Sequence, residues 1–184
     1  LKKIWAPCAK VLGKQSKIMT RDDLKKIAIS ACIVAGKYLN ENKLAEKEIL
    51  MEEGRDIKLI IDQKTEELIR SILQKTDIDI LGEEYGGQTS SKTYWVIDPI
   101  DGTANYFRGL DSCCISIALF EGDECVLGTI YNFNNDQMYS AVKGEGAYLN
   151  NEKISVSDID EKNKASITTG FPASESIESS MNFL

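Results

Sequence analysis

The stretch that decides the fold is Trp95-Val96-Ile97-Asp98-Pro99-Ile100-Asp101-Gly102-Thr103-Ala104-Asn105-Tyr106. Its apolar first residues predict a β-strand. We expect that strand to end at Asp98, because Pro99 cannot donate a ladder hydrogen bond and holds the preceding residue extended. The following turn brings the carboxylates of Asp98 and Asp101 towards one point, with the carbonyl of Ile100 between them. The sequence therefore predicts a group of hard oxygen ligands at the end of this strand.

The residues after the two aspartates predict a place for an anion. Gly102 permits a close approach of the backbone, and Thr103 can begin a helical turn whose free N–H groups face an anion. A motif of this kind also has a plain structural interpretation, in which Asp101 caps the helical turn and no ligand is needed. On this stretch alone, both interpretations stay open.

Upstream of this stretch, the spacing of apolar residues predicts two amphipathic helices. Apolar residues recur at i, i+3 and i+4 over residues 24–39, and Thr20 and Asp23 have the spacing of a capping box in front of them. A second helix is predicted over Ile61–Gln74. The polar residues 52–56 between the two helices predict a loop or a short hairpin.

Downstream, short apolar segments bounded by turn residues predict β-strands. The predicted strands are Asp79–Gly82, Tyr94–Ile97, Ser112–Phe120, Cys125–Phe133 and Gln137–Val142, then a small hairpin about Asn150 and Asn151 and a strand over Ala165–Gly170. Two helices followed by an antiparallel meander form an α+β arrangement of layers.

The composition excludes several classes of protein. The 184 residues include 22 Lys and Arg, 29 Asp and Glu and no histidine, which gives a formal net charge of −7. Without histidine there is no Ser-His-Asp or Cys-His nucleophile system and no imidazole zinc site. An acidic chain also lacks the basic face that binds nucleic acid or acidic membranes, and no apolar run is long enough for a transmembrane helix. We therefore expect no nucleic-acid and no membrane partner.

The cysteines and the first residues bear on the compartment and the domain limits. Five cysteines without a C-x-x-C pair argue against the disulfide framework of a secreted protein. Residues 1–8 lack the apolar run of a signal peptide, so we expect a cytoplasmic protein. Residues 1–18 are interpreted as an extension or tag-derived segment, with an extra helix as the alternative. Residues 19–184 are predicted to form one domain that is incomplete at its C-terminus.

Residues Trp95–Arg108 resemble the metal-binding motif of the inositol monophosphatase family, the lithium-sensitive, magnesium-dependent sugar-phosphate phosphatases. In both, an aliphatic strand is followed by D-P-I-D-G-T, two variable residues and an aromatic residue. Further segments follow in the family's order. They are Asp56–Lys64, similar to its D-L-V-T-x-x-D helix entry, Leu81–Glu84, similar to its G-E-E segment, and the later Gly128–Tyr131, Lys143–Ala147 and Thr169–Pro172.

The resemblance implies a metal site. By position, Glu83, Asp98 and the carbonyl of Ile100 would hold a first Mg²⁺, and Asp98 would bridge to a second ion that Asp101 also binds. Two or three ions are implied, with Li⁺ as an inhibitor. The charges agree, because carboxylates gathered at one point repel a phosphate dianion until divalent cations neutralise them. Seen without the motif, Glu83 fits a solvated turn equally well.

The resemblance also implies roles in water activation and substrate binding. Asp62 with Thr103 would orient and deprotonate the attacking water, a carboxylate–hydroxyl pair that needs no histidine. Ile100, Asp101, Gly102 and Thr103 would contact the substrate, with the amides of the last two on phosphate oxygens. Seen alone, either member of the Asp62–Thr103 pair also fits helix capping.

The family fold implies a layered αβαβα sugar-phosphatase architecture. This sequence would supply its N-terminal half, two helices plus an antiparallel sheet, with the C-terminal α/β half missing or cut short. The implied function is that of a magnesium-dependent phosphomonoesterase, a homodimer by family analogy, that hydrolyses a small polyol or sugar phosphate such as inositol monophosphate. The alternatives are a nucleotide 3′-phosphatase or fructose-1,6-bisphosphatase of the same superfamily, and a truncated, non-catalytic metal-binding or interaction module.

The sequence departs from the family pattern in two places. Leu59 stands where the family has a threonine, which removes a hydroxyl near the implied site. The family's W-D-x-A-A-G-like segment, whose aspartate completes the second metal site, is not found. The tryptophans are Trp5 and Trp95, and neither precedes an aspartate.

Overall fold

The computed structural model describes residues 19–45, 48–53, 56–87 and 91–166. The helices are α1 (Arg21–Glu41), α2 (Ile60–Leu73) and α3 (Thr103–Phe107), with short 3₁₀ turns at Gln74–Thr76 and Lys162–Lys164. The strands are β1 (Ile49–Glu53), β2 (Asp56–Leu59), β3 (Asp79–Gly82), β4 (Thr93–Asp101), β5 (Cys114–Glu121), β6 (Glu124–Asn132), β7 (Gln137–Val142), β8 (Gly146–Leu149) and β9 (Glu152–Ile154). Residues 1–18, interpreted above as an extension, lie outside the described residues. The segment Thr169–Pro172 and most of the predicted strand Ala165–Gly170 also lie outside them.

Both predicted long helices are present. The Thr20 hydroxyl accepts a hydrogen bond from the N–H of Asp23 (3.1 Å), and the Asp23 carboxylate accepts one from the N–H of Thr20 (3.0 Å). This capping box, predicted from the sequence, satisfies two of the donors that a helix start leaves free. Among the described residues, no helix combines the length and apolarity needed to cross a bilayer.

The main sheet has the strand order β3-β4-β5-β6-β7-β8-β9, and β1 and β2 form a separate antiparallel hairpin. The predicted antiparallel meander is confirmed from β4 to β9, but β3 pairs with β4 in parallel, with Gly82 opposite Ile97. The prediction of antiparallel pairing was wrong here because the chain first returns to the start of β3. There the N–H and hydroxyl of Ser91 donate to Asp79 Oδ2 at 3.2 and 2.8 Å.

Strand β4 is longer than predicted. It does not end at Asp98, since Asp101 still pairs with Cys114 of β5 beyond Pro99. The ladder is irregular between Asp98 and Asp101. An irregularity of this kind tolerates the missing proline donor and bends the strand. The two aspartates therefore flank a local distortion of the sheet.

The core lies between the two long helices and one face of the sheet. Helix α1 packs on β5, β6 and β7, and α2 packs on β4. Small residues on α1 allow a close approach: a Cβ at Gly36 would lie 2.6 Å from the Tyr131 ring. The buried sheet residues include Trp95, Ile97, Ile117, Leu119 and Leu127. This packing places α2 against β4, the strand that leads into the D-P-I-D-G-T turn.

Candidate active site

The turn between β4 and α3 is closed by its own side chains. Asp98 Oδ1 accepts a hydrogen bond from the N–H of Ile100 (3.0 Å). The Ile100 carbonyl in turn accepts one from the Thr103 hydroxyl (2.9 Å). These two bonds fix one oxygen of Asp98 and the carbonyl of Ile100 relative to the start of α3.

Gly102 begins α3 in a conformation that favours glycine. Its φ is +92°, and its carbonyl accepts hydrogen bonds from the N–H groups of Asn105 (2.9 Å) and Tyr106 (3.0 Å). A Cβ at this position would lie 2.8 Å from the carbonyl oxygen of Ser112, so a side chain would force the backbone apart. The alternative in which Asp101 caps this helix is wrong, because Gly102 occupies the N-cap.

Glu83 and Asp98 lie side by side at the ends of the parallel strands β3 and β4. The N–H of Glu83 donates to the carbonyl of Ile97 (3.2 Å), which places Glu83 beside Asp98, close enough for its side chain to act on the Asp98 carboxyl group. Burial, reinforced by the charges of Glu83 and Asp101, raises the pKa of Asp98 to about 8. Two carboxyl groups in contact need a shared proton or a cation between them.

Asp101 lies next to a thiol. Cys114 Sγ is 3.7 Å from Asp101 Oδ2. Burial, followed by the negative charges of Asp101 and Asp98, raises the pKa of Cys114 to about 12. A thiol in this setting stays protonated at neutral pH and is a poor nucleophile.

Asp62, on the first turn of α2, reaches Thr103. Its side chain is 2% exposed; Oδ2 accepts a hydrogen bond from the N–H of Leu59 (2.7 Å), and Oδ1 lies 3.4 Å from the Thr103 hydroxyl. The backbone of Leu59 thus holds Asp62 even though its side chain offers no hydroxyl. Burial, reinforced by the negative charges of Glu84 and Glu83, raises the pKa of Asp62 to about 7.

The available ligands suit a hard divalent cation. Glu83, Asp98 and Asp101 offer carboxylates and Ile100 offers a carbonyl, all of them oxygen donors. Within the described ranges, no three Asp, Glu or Cys side chains already converge into a metal-ligand cluster. The structure therefore brings Glu83 to Asp98 and Asp62 to Thr103 as pairs, and the contact between two acids is the feature that a cation would relieve.

A family model described as the inositol monophosphatase family matches residues 20–183. The chain belongs to the inositol monophosphatase family. The resemblance drawn from the D-P-I-D-G-T turn is thereby confirmed over nearly the whole chain.

Individual relatives agree with this family membership. A fructose-1,6-bisphosphatase/inositol-1-monophosphatase of Aquifex aeolicus is 36% identical over 160 residues, which cover 83% of this chain and 61% of the relative. A Nus factor SuhB of Xylella fastidiosa is 36% identical over 153 residues, 81% of this chain and 56% of the relative. The crystal structure of the extragenic suppressor protein SuhB from Bartonella henselae superposes with a TM-score of 0.70 at 28% identity, covering 74% of this chain and 55% of that one.

The structural match confirms the predicted fold class. The mixed sheet with its few helices is the α+β arrangement of inositol monophosphatases and SuhB proteins. The chain spans 61% and 56% of the length of the two curated relatives named above.

One buried acid near the site was missed by sequence reasoning. Glu66 follows Asp62 by one turn of α2, is fully buried, and pairs with Arg70 Nε at 2.7 Å. In a sequence, Glu and Arg four residues apart on a helix are typical of an exposed pair. The one available signal was that Glu66 shares a helix face with Asp62.

Proposed function

We propose that this chain carries the metal- and water-binding part of a magnesium-dependent phosphomonoesterase that acts on a small polyol or sugar phosphate. The observation that supports it most is the backbone hydrogen bond from Glu83 to Ile97, which places the acid Glu83 beside Asp98 and near the Asp62–Thr103 pair. Hydrolysis of a phosphate ester needs cations that neutralise the phosphate and a base that orients water. The two pairs supply both requirements without histidine.

Glu83, Asp98, Asp101 and the Ile100 carbonyl hold the magnesium in this proposal. Bound Mg²⁺ supplies charge neutralisation of the phosphate oxygens and lowers the pKa of a coordinated water. The hydrogen bond from the N–H of Ile100 leaves Asp98 with its second oxygen to share with a cation. Two or three ions with oxygen ligands also agree with the family's inhibition by Li⁺, which we expect here.

Asp62 and Thr103 position the attacking water. Asp62 is held from one side by the Leu59 N–H, so its other oxygen faces Thr103. A base works best when its pKa lies near the working pH, and burial together with acidic neighbours raises the pKa of Asp62 to about 7. Asp62 accepts the proton that the water loses, and the Thr103 hydroxyl orients that water.

The start of α3 receives the phosphate group. The first N–H groups of a helix have no partner within the helix. Gly102 lets the backbone approach closely, since its φ of +92° needs no side chain. In this proposal the amides of Gly102 and Thr103 bind phosphate oxygens, and Ile100 and Asp101, which would hold magnesium, line the same substrate site.

Phosphate release by the 184-residue chain tests the proposal. We expect Mg²⁺-dependent turnover of inositol monophosphate, and loss of that turnover in Asp98→Asn with the fold intact by circular dichroism. Asp123→Asn, an exposed acid of the β5–β6 turn, is the matched control and keeps wild-type turnover. Retained turnover in Asp98→Asn would contradict the proposal.

A second substrate is favoured by one observation. The Aquifex aeolicus relative has a double name that includes fructose-1,6-bisphosphatase, so fructose 1,6-bisphosphate belongs in the same assay, beside a nucleotide 3′-phosphate. A hexose bisphosphate and an inositol phosphate both present hydroxyls beside a phosphate. The ratio of kcat/KM between them decides the substrate.

A non-catalytic module is the competing proposal. It draws support from the lack of a three-acid cluster in the described residues. Calorimetry with Mg²⁺ separates the two. Two ions bound with turnover support the enzyme, and one weakly bound ion without turnover supports the module.

The proposal includes two finer features. We infer a cytoplasmic protein, from the cysteine pattern, and a homodimer, by analogy with the family. Light scattering across a concentration series tests the dimer, and fractionation of cells tests the compartment.

A further inference from the structure

Glu66 is a fully buried carboxylate that the proposed chemistry does not use. Its Oε1 accepts hydrogen bonds from Arg70 Nε (2.7 Å) and from the N–H of Tyr85 (3.3 Å). Its Oε2 accepts one from the N–H of Glu84 (2.8 Å). A single side chain on α2 therefore binds two consecutive backbone amides of the turn that follows β3.

The partner of Glu66 binds the same turn. The Arg70 guanidinium donates to the carbonyl of Gly86 and, at 3.4 Å, to that of Ile80. The N–H of Gly82 donates to the Gly86 carbonyl (3.0 Å), which closes the turn on itself. The Glu66–Arg70 pair thus contacts β3 at Ile80 and the following turn at its middle and its end.

The Glu66 carboxylate lies directly against the backbone of Gly82. A Cβ built on Gly82 would be 2.0 Å from Glu66 Oε1. Any side chain at that position would displace the carboxylate from the amides. The glycine of the G-E-E segment is therefore needed by Glu66 as well as by the turn.

This turn carries Glu83. On one side, the N–H of Glu83 donates to the Ile97 carbonyl, directly before Asp98. On the other side, the next amide, that of Glu84, donates to Glu66. The backbone on both sides of Glu83 is therefore fixed, by β4 and by Glu66.

We propose that Glu66 is a positioning residue that holds Glu83 against Asp98 and so sets the magnesium affinity of the site. The inference rests on the proposed function and names a residue of α2 that acts on the site through the turn. The required group is an acceptor with two oxygens, because its neighbours are three donors. A glutamine would place its NH₂ group against at least one of those donors.

Glu66→Gln tests the inference, with two readouts that need no substrate. We expect faster hydrogen exchange at the Glu84 and Tyr85 amides, and a Mg²⁺ dissociation constant about tenfold higher by calorimetry, the usual loss when a group that orients a metal ligand is changed. Excess Mg²⁺ should then restore kcat towards that of the wild type. Arg70→Lys, which keeps the charge but loses the planar fork, should shift both readouts less and in the same direction, and it carries the test if Glu66→Gln fails to fold.

Thr65→Val is the matched control. Thr65 is buried on the same helix, and its hydroxyl donates to the carbonyl of Ile61 (2.7 Å) rather than to the turn. It should lower stability without changing the Mg²⁺ dissociation constant. If a general loss of packing caused the effects, Thr65→Val would raise the Mg²⁺ dissociation constant as much as Glu66→Gln does.

The outcomes separate this inference from the proposed function. Wild-type exchange at Glu84 and Tyr85 in the variants, or unchanged Mg²⁺ affinity despite faster exchange, would overturn the positioning role. A wild-type chain that binds no Mg²⁺ would instead contradict the proposed function. The exchange data, which need no metal, would then still decide whether Glu66 holds the turn.

Discussion

Two buried acids on helix α2 show opposite ways of keeping a carboxylate away from water. Asp62 and Glu66 are 2% and 0% exposed and lie one turn apart. Glu66 faces a guanidinium and two amides. Asp62 has one amide and one hydroxyl as partners, and the nearby negative charges of Glu84 and Glu83 help to raise its pKa. A buried acid whose hydrogen-bond partners are all present stabilises the structure around it. A buried acid near like charges has a shifted pKa, which is typical of a functional site.

The largest expected effect concerns Asp62. Asp62→Asn keeps an oxygen for the Leu59 N–H but removes the base. We expect kcat to fall about 10²- to 10⁴-fold, with the melting temperature equal to or above that of the wild type. Steady-state kinetics and thermal unfolding of the same preparation provide the measurement. If the variant lost stability as well, the comparison between the two acids would fail.

For Glu66 we expect the main effect of a substitution on the free energy of unfolding. Glu66→Ala leaves Arg70, 19% exposed, without its partner, and removing one member of a buried pair costs about 3 kcal/mol of unfolding free energy. Urea denaturation measures this loss. Lys37→Ala is the control, since its pair with Glu41 is 76% and 62% exposed; we expect no measurable change. A Glu66 variant as stable as this control would contradict our account of the buried pair.

The stability of the metal-free fold should depend on pH through Asp62. The folded-state pKa of Asp62 is raised to about 7, above the unfolded value of about 3.9. Its neutral form therefore stabilises the metal-free fold fully below about pH 4, and this contribution is lost as the pH rises through 7. Thermal unfolding from pH 4 to 8 without metal should show the decline, to which Asp98 also contributes because its pKa is raised to about 8. Asp62→Asn should make the decline shallower and leave the part due to Asp98, and an equally steep decline in the variant would contradict the assignment to Asp62.

The smallest expected effect isolates helix capping. Asp23 and Asp62 both accept a hydrogen bond from the N-cap amide of their helix, but only Thr20 returns one through its side chain. Thr20→Ala should cost about 1 kcal/mol of unfolding free energy and leave turnover unchanged. Denaturation and kinetics check both. A drop in turnover would mean that capping alone affects catalysis, which would weaken the role given to Asp62.

The sequence predicted the helices and most strands because their patterns are local. β3 and β7 have the bounds expected of them, and α2 begins one residue early. The parallel pairing of β3 and β4 could not be predicted, because the direction of pairing depends on the path of the chain between the strands and not on the local pattern of either. Strand β4 passes Pro99 because pairing resumes at Asp101, which no local rule foresees.

The residues of the candidate site also differ in whether a local pattern predicts them. Asp98, Asp101 and Thr103 follow from one turn and could be found from their spacing. Glu83 and Asp62 come from separate segments, and only the family resemblance joined them to the turn. Glu66 could not be predicted as part of the site. Its spacing to Arg70 is that of an ordinary exposed helix pair, and the sequence does not show that this pair is buried against the turn after β3.

The parallel register of β3 and β4 determines that Glu83 and Asp98 lie next to each other. Gly82 lies opposite Ile97, so the residues that follow them, Glu83 and Asp98, become neighbours through backbone pairing. Substitutions at strand positions other than Gly82 can therefore accumulate without separating Glu83 from Asp98. Deleting a single residue from one strand would turn one acid to the opposite face of the sheet and abolish the site in one step.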